Sequence, residues 1–394
     1  MAAEAKVSTS PPSARRSLGE TLRTVLGPVL QLLVFIVGSA LLLGLIVIVL
    51  ALLQSGARPD LLSRVLTILP QVIIDGLVRG FLFATIALGY TMVYGVLEFI
   101  NFAHGEIFMV GGVVGAYVGL FLDQAGVLDN FNPFLFVVIV VLAGATVSGL
   151  LAMTVERVAY RPLRNAPKLV PLISAIGVSL ILQDVARLFM TNVPGSEPLG
   201  FNARYNTADF GPVITLFTMP LGERDIPVIL SPKDLVFIIV AVFMLVGLNY
   251  IVNATKLGKA IRATAQDMST ASLMGIDVNR IIALTFLIGG ALGGAAGALF
   301  GLRVGAVNPY LGLIPGLKAF TAAVLGGIGN ITGAMVGGIV LGFLEAFVAA
   351  YLSLFTSGAF SGAAYADIAA FSILILILIF RPSGLLGEAT TQKV

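Results

Sequence analysis

His104 is the chain's one histidine, and Glu106 follows it two residues later in the string Asn101-Phe-Ala-His-Gly-Glu106. One imidazole and one carboxylate are too few ligands for a metal site, so no metal is expected. Cysteine is absent, which removes thiolate ligands, disulfides and cysteine nucleophiles. The glycine-rich string Gly326-Gly327-Ile-Gly329-Asn330 lacks the Gly-Lys-Ser/Thr ending of a phosphate-binding loop. No catalytic residue and no cofactor are therefore expected, and this chain is not expected to hydrolyse ATP itself. Two readings of the His104 cluster remain open. Asn101 and His104 cap the start of the next helix, with Glu106 at its positive end; or the cluster lines or gates a pathway, since polar groups at membrane depth face protein or water rather than lipid. The same choice applies to Gly327 and Asn330: a tight or unwound turn between packed spans, or part of a pathway. Lys318 lies inside an apolar run and needs an ion-pair partner or an interface.

The elements that position these residues are membrane helices. Hydrophobic residues make up 58% of 394 and charged residues only 11%, whereas a soluble domain carries about 25% charged residues. The 45 glycines fit closely packed spans. A net charge of +3 gives no reason to expect nucleic acid as a partner; the lipid bilayer is the solvent. Residues 1–25 read as a disordered tail rich in Ser and Pro, with Arg15, Arg16 and Arg23. The uncharged run Thr24–Ala57 is far longer than the ~7–15 residues of a signal-peptide core. It reads as a retained first span near Leu32–Leu53, so that 26–70 form an added anchor and linker. Further apolar runs fall at Gln71–Tyr94, Gly105–Leu122, Leu135–Val155, Val170–Met190, Leu235–Ile251, Ile281–Leu302, Val307–Ile328, Ile331–Leu352 and Ile368–Phe380. Most approach the ~20 residues that cross hydrocarbon as a helix. Gly105–Leu122 and the last run are short, and Val307–Ile328 carries Pro309, Pro315 and Lys318, so these three are candidates for broken or re-entrant spans. The fold class is an all-α integral membrane protein, a polytopic bundle of about 8–10 helices. Gly289, Gly290, Gly293, Gly294, Gly297 and Gly301 form a helix-packing face.

Basic loops set the orientation. Arg157, Arg161, Arg164 and Lys168, and again Lys256, Lys259, Arg262 and Arg280, mark two cytoplasmic loops. The stretch Thr191–Ser231 sets Arg204 and Arg224 against Glu197, Asp209, Glu223 and Asp225, and belongs outside. Both termini are then cytoplasmic, including a short tail at 388–394.

The loop from Lys256 to Arg280 is too polar for the membrane. Ile261, Ala265, Met268 and Ala271 recur at helical spacing, so the spacing predicts a short amphipathic helix, with Gly275 ending it and Asp277 capping the next. Such a helix either docks a soluble partner or lies on lipid headgroups. The strings Lys259-Ala-Ile-Arg-Ala-Thr-Ala-Gln-Asp267 and Ala271-Ser-Leu-Met-Gly-Ile-Asp277 resemble the coupling loop of ABC importer permeases, closest to the branched-chain amino acid family. Gly89-Tyr-Thr-Met-Val-Tyr-Gly95 with Ile100-Asn-Phe-Ala-His-Gly-Glu106, Glu156-Arg-Val-Ala-Tyr-Arg-Pro162, and Asn308-Pro-Tyr with Lys318 to Gly329 resemble it too. The resemblance covers 71–387 and implies a permease domain there. It implies a cytoplasmic coupling helix in which Lys259, Arg262, Ala265, Gln266, Asp267, Ala271 and Gly275 meet an ATPase. It also implies a second related permease, ABC ATPase subunits, an extracytoplasmic substrate-binding protein and a small amino-acid substrate, in a bacterial inner membrane. Gln266 stands where the family pattern has an acidic residue, and nothing before Gln71 has a counterpart in it. Urea or a short amide is an alternative cargo. An ion-coupled secondary transporter is disfavoured by spans poor in Asp and Glu, and a passive channel is weaker still.

Overall fold

The computed structural model describes residues 18–97, 99–126, 131–164, 166–167, 169–191, 211–221, 224–327, 329–381 and 383–387. The tails before residue 18 and after 387, together with Lys168, Glu197, Arg204, Asp209 and Glu223, lie outside them.

Among the described residues, nine helices are long and apolar enough to cross a bilayer. They are α1 (Leu18–Gln54), α2 (Leu61–Leu97), α3 (His104–Gln124), α4 (Pro133–Val155), α5 (Leu169–Thr191), α6 (Pro232–Ala254), α9 (Val278–Val304), α11 (Ile331–Phe355) and α12 (Gly362–Phe380). Two short helices, α7 (Lys256–Gln266) and α8 (Met268–Leu273), fill the polar loop, and α10 (Leu313–Gly326) is a half-length apolar helix. The chain is a polytopic all-α membrane bundle. Large apolar side chains on α1, α4, α5 and α12 remain exposed, as helices solvated by lipid require. Of the three runs expected to be short or broken, α3 and α12 have 21 and 19 residues and are complete. The third is broken: the chain is non-helical from Gly305 to Gly312, and α10 has only 14 residues. The helix α2 runs straight through residue 71, the expected start of the permease domain.

One element has no counterpart in the sequence reading. Ile214–Leu221 (β1) and Arg224–Leu230 (β2) form an antiparallel hairpin. It docks on the first turns of α2, where Gln71 Oε1 accepts the Ile229 amide at 2.9 Å.

Glycine seams hold the bundle together. On α9, all six glycines of the expected packing face are buried. Gly294 meets Gly111 of α3 backbone to backbone, and Gly290 faces Ala152 of α4. A second seam joins α2 to α11, where Gly342 lies on Gly80 and Gly338 on Ala84. Without a solvent-driven hydrophobic force between helices, such backbone approach supplies the packing energy.

The seams make a test with opposite signs. A methyl at Gly342 would collide with the Gly80 backbone, while one at Gly247 of α6 would meet nothing within 4 Å. Gly342→Ala should lower stability by ~1–3 kcal/mol. Gly247→Ala should be neutral or raise it by ~0.5–1 kcal/mol through helix propensity. Thermal unfolding of the two detergent-solubilised variants beside the parent decides it; equal melting would contradict the seam.

Candidate functional site

Two interruptions meet in the interior. The first is the non-helical stretch 99–103 between α2 and α3, and the second is 305–312 between α9 and α10. Gly305 turns the chain out of α9 with φ +77°, a left-handed conformation suited to glycine. The returning strand then follows α3: Val307 lies by Gly112, and Gly312 and Gly316 lie by Gly105. A Cβ on Gly105 would come within 2.5 Å of the Gly312 carbonyl oxygen and 3.2 Å of the Gly316 Cα. The start of α3 is deep. His104 packs against Gly89 of α2 and Gly293 of α9, and at 1.5 Å per residue Gly293 is ~22 Å along α9.

Around this crossing, polar atoms are buried without hydrogen-bond partners: Thr91 Oγ1, Asn101 Nδ2 and Glu106 Oε2. Buried polar atoms are nearly always paired, so such a cluster asks for an explanation. The His104 ring stands edge-on to Tyr90, centroids 4.6 Å apart. Glu106 Oε1 accepts hydrogen bonds from Gln183 Nε2 at 2.7 Å and Ser179 Oγ at 3.3 Å, both on α5. A cavity of about 160 Å³ opens beside it, lined by Tyr90, Phe102, Ile176, Leu180, Leu313 and Gly316 among others.

The capping role considered for Asn101 and His104 is not what the side chains do. The cap position of α3 is Ala103, with no side-chain hydrogen bond. Asn101 Oδ1 instead accepts from the Tyr160 hydroxyl at 2.8 Å. Tyr160 ends a π-helical turn, Glu156–Tyr160, within the family-like string. There Arg164 pairs with the buried Glu156 and donates to Asn279 Oδ1 at 2.7 Å, at the start of α9.

The other candidate residues lie apart from the crossing. Lys318 has the partners that the sequence could not name. Its Nζ is 2.9 Å from Glu345 Oε2 on α11 and 2.6 Å from Asp367 Oδ1 on α12, and Arg79 of α2 reaches Glu345 Oε1 at 2.9 Å. Two cations and two carboxylates cancel, as burial in a membrane bundle demands. Gly327, at φ +106°, lies against Gly387. Asn330 Oδ1 caps α11 at the Gly333 amide, and its Nδ2 donates to the Leu386 carbonyl, both at 2.9 Å. These two residues build a turn that clasps the C-terminal segment.

The polar loop folds as two helices rather than one. Asp267 breaks them, its carboxylate accepting from the Ser269 amide at 2.8 Å and from the Thr270 amide at 3.1 Å. The Thr270 hydroxyl is the chief group that holds this carboxyl below its usual pKa. Ile261 and Thr264 of α7 are buried in the chain itself, Ala265 packs against the same core, and Arg262 donates to the Val252 carbonyl. Lys259 and Gln266 are exposed, and Ala271 is buried. Gly275 adopts φ +83°, and Asp277 caps α9 at the Arg280 amide, 3.1 Å away. The side chains left outward are Leu273, 87% exposed, and Met274, 79% exposed. The spacing argument missed both, because it assumed a continuous helix.

Residues 72–380 match the family described as branched-chain amino acid transport system / permease component. The chain belongs to this family. It is 40% identical over 325 residues to the high-affinity branched-chain amino acid transport system permease protein BraD of Pseudomonas aeruginosa, covering 82% of this chain and 97% of that one. It is 39% identical over 325 residues to LivH of Escherichia coli, with the same coverage. To the probable LivH of Methanocaldococcus jannaschii it is 29% identical over 327 residues, covering 80% and 92%. These relatives are transport permeases, not enzymes. The matched span of this permease holds the interior crossing, the cavity and the α7–α8 pair.

The ion cluster yields a double-mutant cycle. Glu345→Met leaves Lys318 with Asp367 alone and Arg79 without its carboxylate, and should cost ~3–5 kcal/mol, while joint replacement of Lys318 and Glu345 by Met should cost less than the sum of the two single changes. Guanidinium-free thermal melts of the solubilised permease would read this. Additive losses would show that the pair is not coupled.

Proposed function

We propose that this chain is the translocation subunit of an ATP-driven importer for branched-chain amino acids. It would line the pathway at the crossing of its two interrupted spans and receive the ATPase on the α7–α8 pair. The observation that carries the coupling role is the outward pair Leu273 and Met274, two large apolar side chains exposed amid polar neighbours. The second short helix, α8, is thus the docking knob, and α7 is its buttress. A lipid-lying helix would present a continuous apolar face instead; the apolar face of α7 is spent on its own core. Lys259 and Gln266 flank the knob as rim contacts, while Arg262, Ala265, Asp267, Ala271 and Gly275 shape it.

The α7–α8 end also carries Arg157, Arg161, Arg164, Lys256, Lys259, Arg262 and Arg280. Positive loops favour the cytoplasm, so this end faces the ATPase and the hairpin end faces the substrate-binding protein. An even number of crossings, counting the interrupted 305–326 as one, places both tails in the cytoplasm. A second related permease completes the pathway. The first helix, outside the family match, serves as an added anchor packed on α2 and α11, with Val47 and Ala51 buried. Between the two ends, Met268 of α8 lines one cavity together with Tyr160 and Asn279, and the Tyr160 hydroxyl donates to Asn101 at the first interruption.

Two measurements test this. With no native cysteine, single cysteines at Met274 and Phe217 should label from opposite membrane faces, Met274 from the cytoplasm; the reverse pattern overturns the orientation. Leu273→Asp should weaken ATPase association by ~2 kcal/mol, about thirtyfold, as loss of an interface anchor does. Proteoliposome uptake should fall with it. Co-purification and leucine uptake at parental levels would remove α8 from the coupling role.

A further inference from the structure

The crossing carries features that a general polar pathway does not need. Glu106 is 1% exposed, and among the described residues it is the only charged side chain lining the cavity beside it. One carboxylate oxygen is held by Gln183 and Ser179, whereas the other has no partner. That free oxygen stands over Gly312: a Cβ placed there would lie 2.6 Å from it. Gly312 is the cap residue of α10, and Leu313, Gly316 and Leu317 of its first turn form one wall of the same cavity. The remaining wall is formed by the apolar Ile176 and Leu180 from α5 and Phe102 from the first interruption, together with Tyr90 of α2.

We propose that this cavity is a binding subsite for the α-ammonium and aliphatic side chain of an amino acid within the permease itself. Glu106 takes the α-ammonium, and the apolar wall takes the side chain. Gln183 and Ser179 are positioning residues that fix the carboxylate rotamer. The buried, half-satisfied carboxylate supplies the opposite charge that an ammonium needs. The size agrees. A cavity of about 160 Å³ exceeds one water's share several-fold, since water occupies ~30 Å³ in the liquid, yet it is below the ~300–1,000 Å³ of drug-sized pockets. Urea and short amides lack the ammonium, so the subsite discriminates against the alternative cargo. This inference rests on the amino-acid permease reading above.

The test uses the complete importer in nanodiscs with the substrate-binding protein omitted, and radiolabelled leucine as probe. Unlabelled leucinol keeps the ammonium and lacks the carboxylate; 4-methylpentanoate keeps the carboxylate and lacks the ammonium. Leucinol should displace leucine at a concentration at least about tenfold lower than 4-methylpentanoate, and urea should not compete. Glu106→Gln should raise the leucine Kd at least about tenfold, the loss expected for one charge-assisted hydrogen bond, in preparations matched for assembled complex. Absent leucine binding, equal displacement by the two analogues, or a Glu106→Gln variant with parental affinity each overturns the subsite. If the variant does not assemble, the analogue ranking on the parent decides alone. Leucine uptake by parental proteoliposomes with binding protein and ATP is measured beside it. Failure of that uptake sinks the importer reading, whereas intact uptake with an ammonium-blind site sinks only this inference.

Discussion

In hydrocarbon a backbone amide or carbonyl has no water to pair with, and each one left open costs several kcal/mol. A helix can therefore stop at mid-depth only where protein covers the break. Both breaks here obey that condition by covering each other, with Gly105 set against Gly312 and Gly316. Closeness of this kind needs glycine on both sides, and the glycine seams of α3, α9 and α4 bring the surrounding walls equally near. The location of the polar cluster thus follows from the packing. It sits at the one crossing, among the described residues, where two irregular segments meet inside the bundle.

The two groups of charge within the bundle illustrate how differently a membrane protein can handle ionisable side chains. Arg79, Lys318, Glu345 and Asp367 tie together α2, α10, α11 and α12 and sum to zero, so that cluster is closed. It fixes four helices and leaves no charge for a ligand. Glu106 has neutral donors on one oxygen and no cation at the other. A stability role would be served better by an apolar residue of similar size. In the subsite proposed above, the ligand's ammonium would offset that cost.

Much of the bundle was legible because hydropathy runs and spans have one physical cause, the thickness of the hydrocarbon. Pro309 and Pro315 flagged the broken span correctly, since a ring nitrogen cannot donate to a helix. Local signals for the loop were also readable: Gly275 and Asp277 act through their own neighbours. What escaped was long-range pairing. Lys318 finds Glu345 on the next helix and Asp367 on the one after, and no local pattern marks either. Asn101 has the chemistry of a cap, yet Tyr160, 59 residues away, takes its oxygen. The hairpin was hidden because its strands lack a clear apolar alternation and β2 carries Pro227. Ala265 fitted a partner-facing stripe only while α7 and α8 were treated as one helix; the break at Asp267 turns it toward its own core.

The break at Asp267 also bears on how force could cross the molecule. A rigid helix clamped at both ends would pass any push on the loop straight into α6 and α9. Two short helices joined at a capped aspartate are separate elements, α7 seated on the bundle and α8 beyond the break. On the far side of Met268, Tyr160 belongs to a π-helical turn, a geometry common where helices must adjust at functional sites. Beyond it, residues 99–103 are non-helical and can absorb backbone rotation without breaking a helical ladder. A contact route transmits nothing unless some link has two arrangements. Between the knob proposed to receive the ATPase and Glu106 lie three places where regular helix gives way: the break at Asp267, the π-helical turn and residues 99–103.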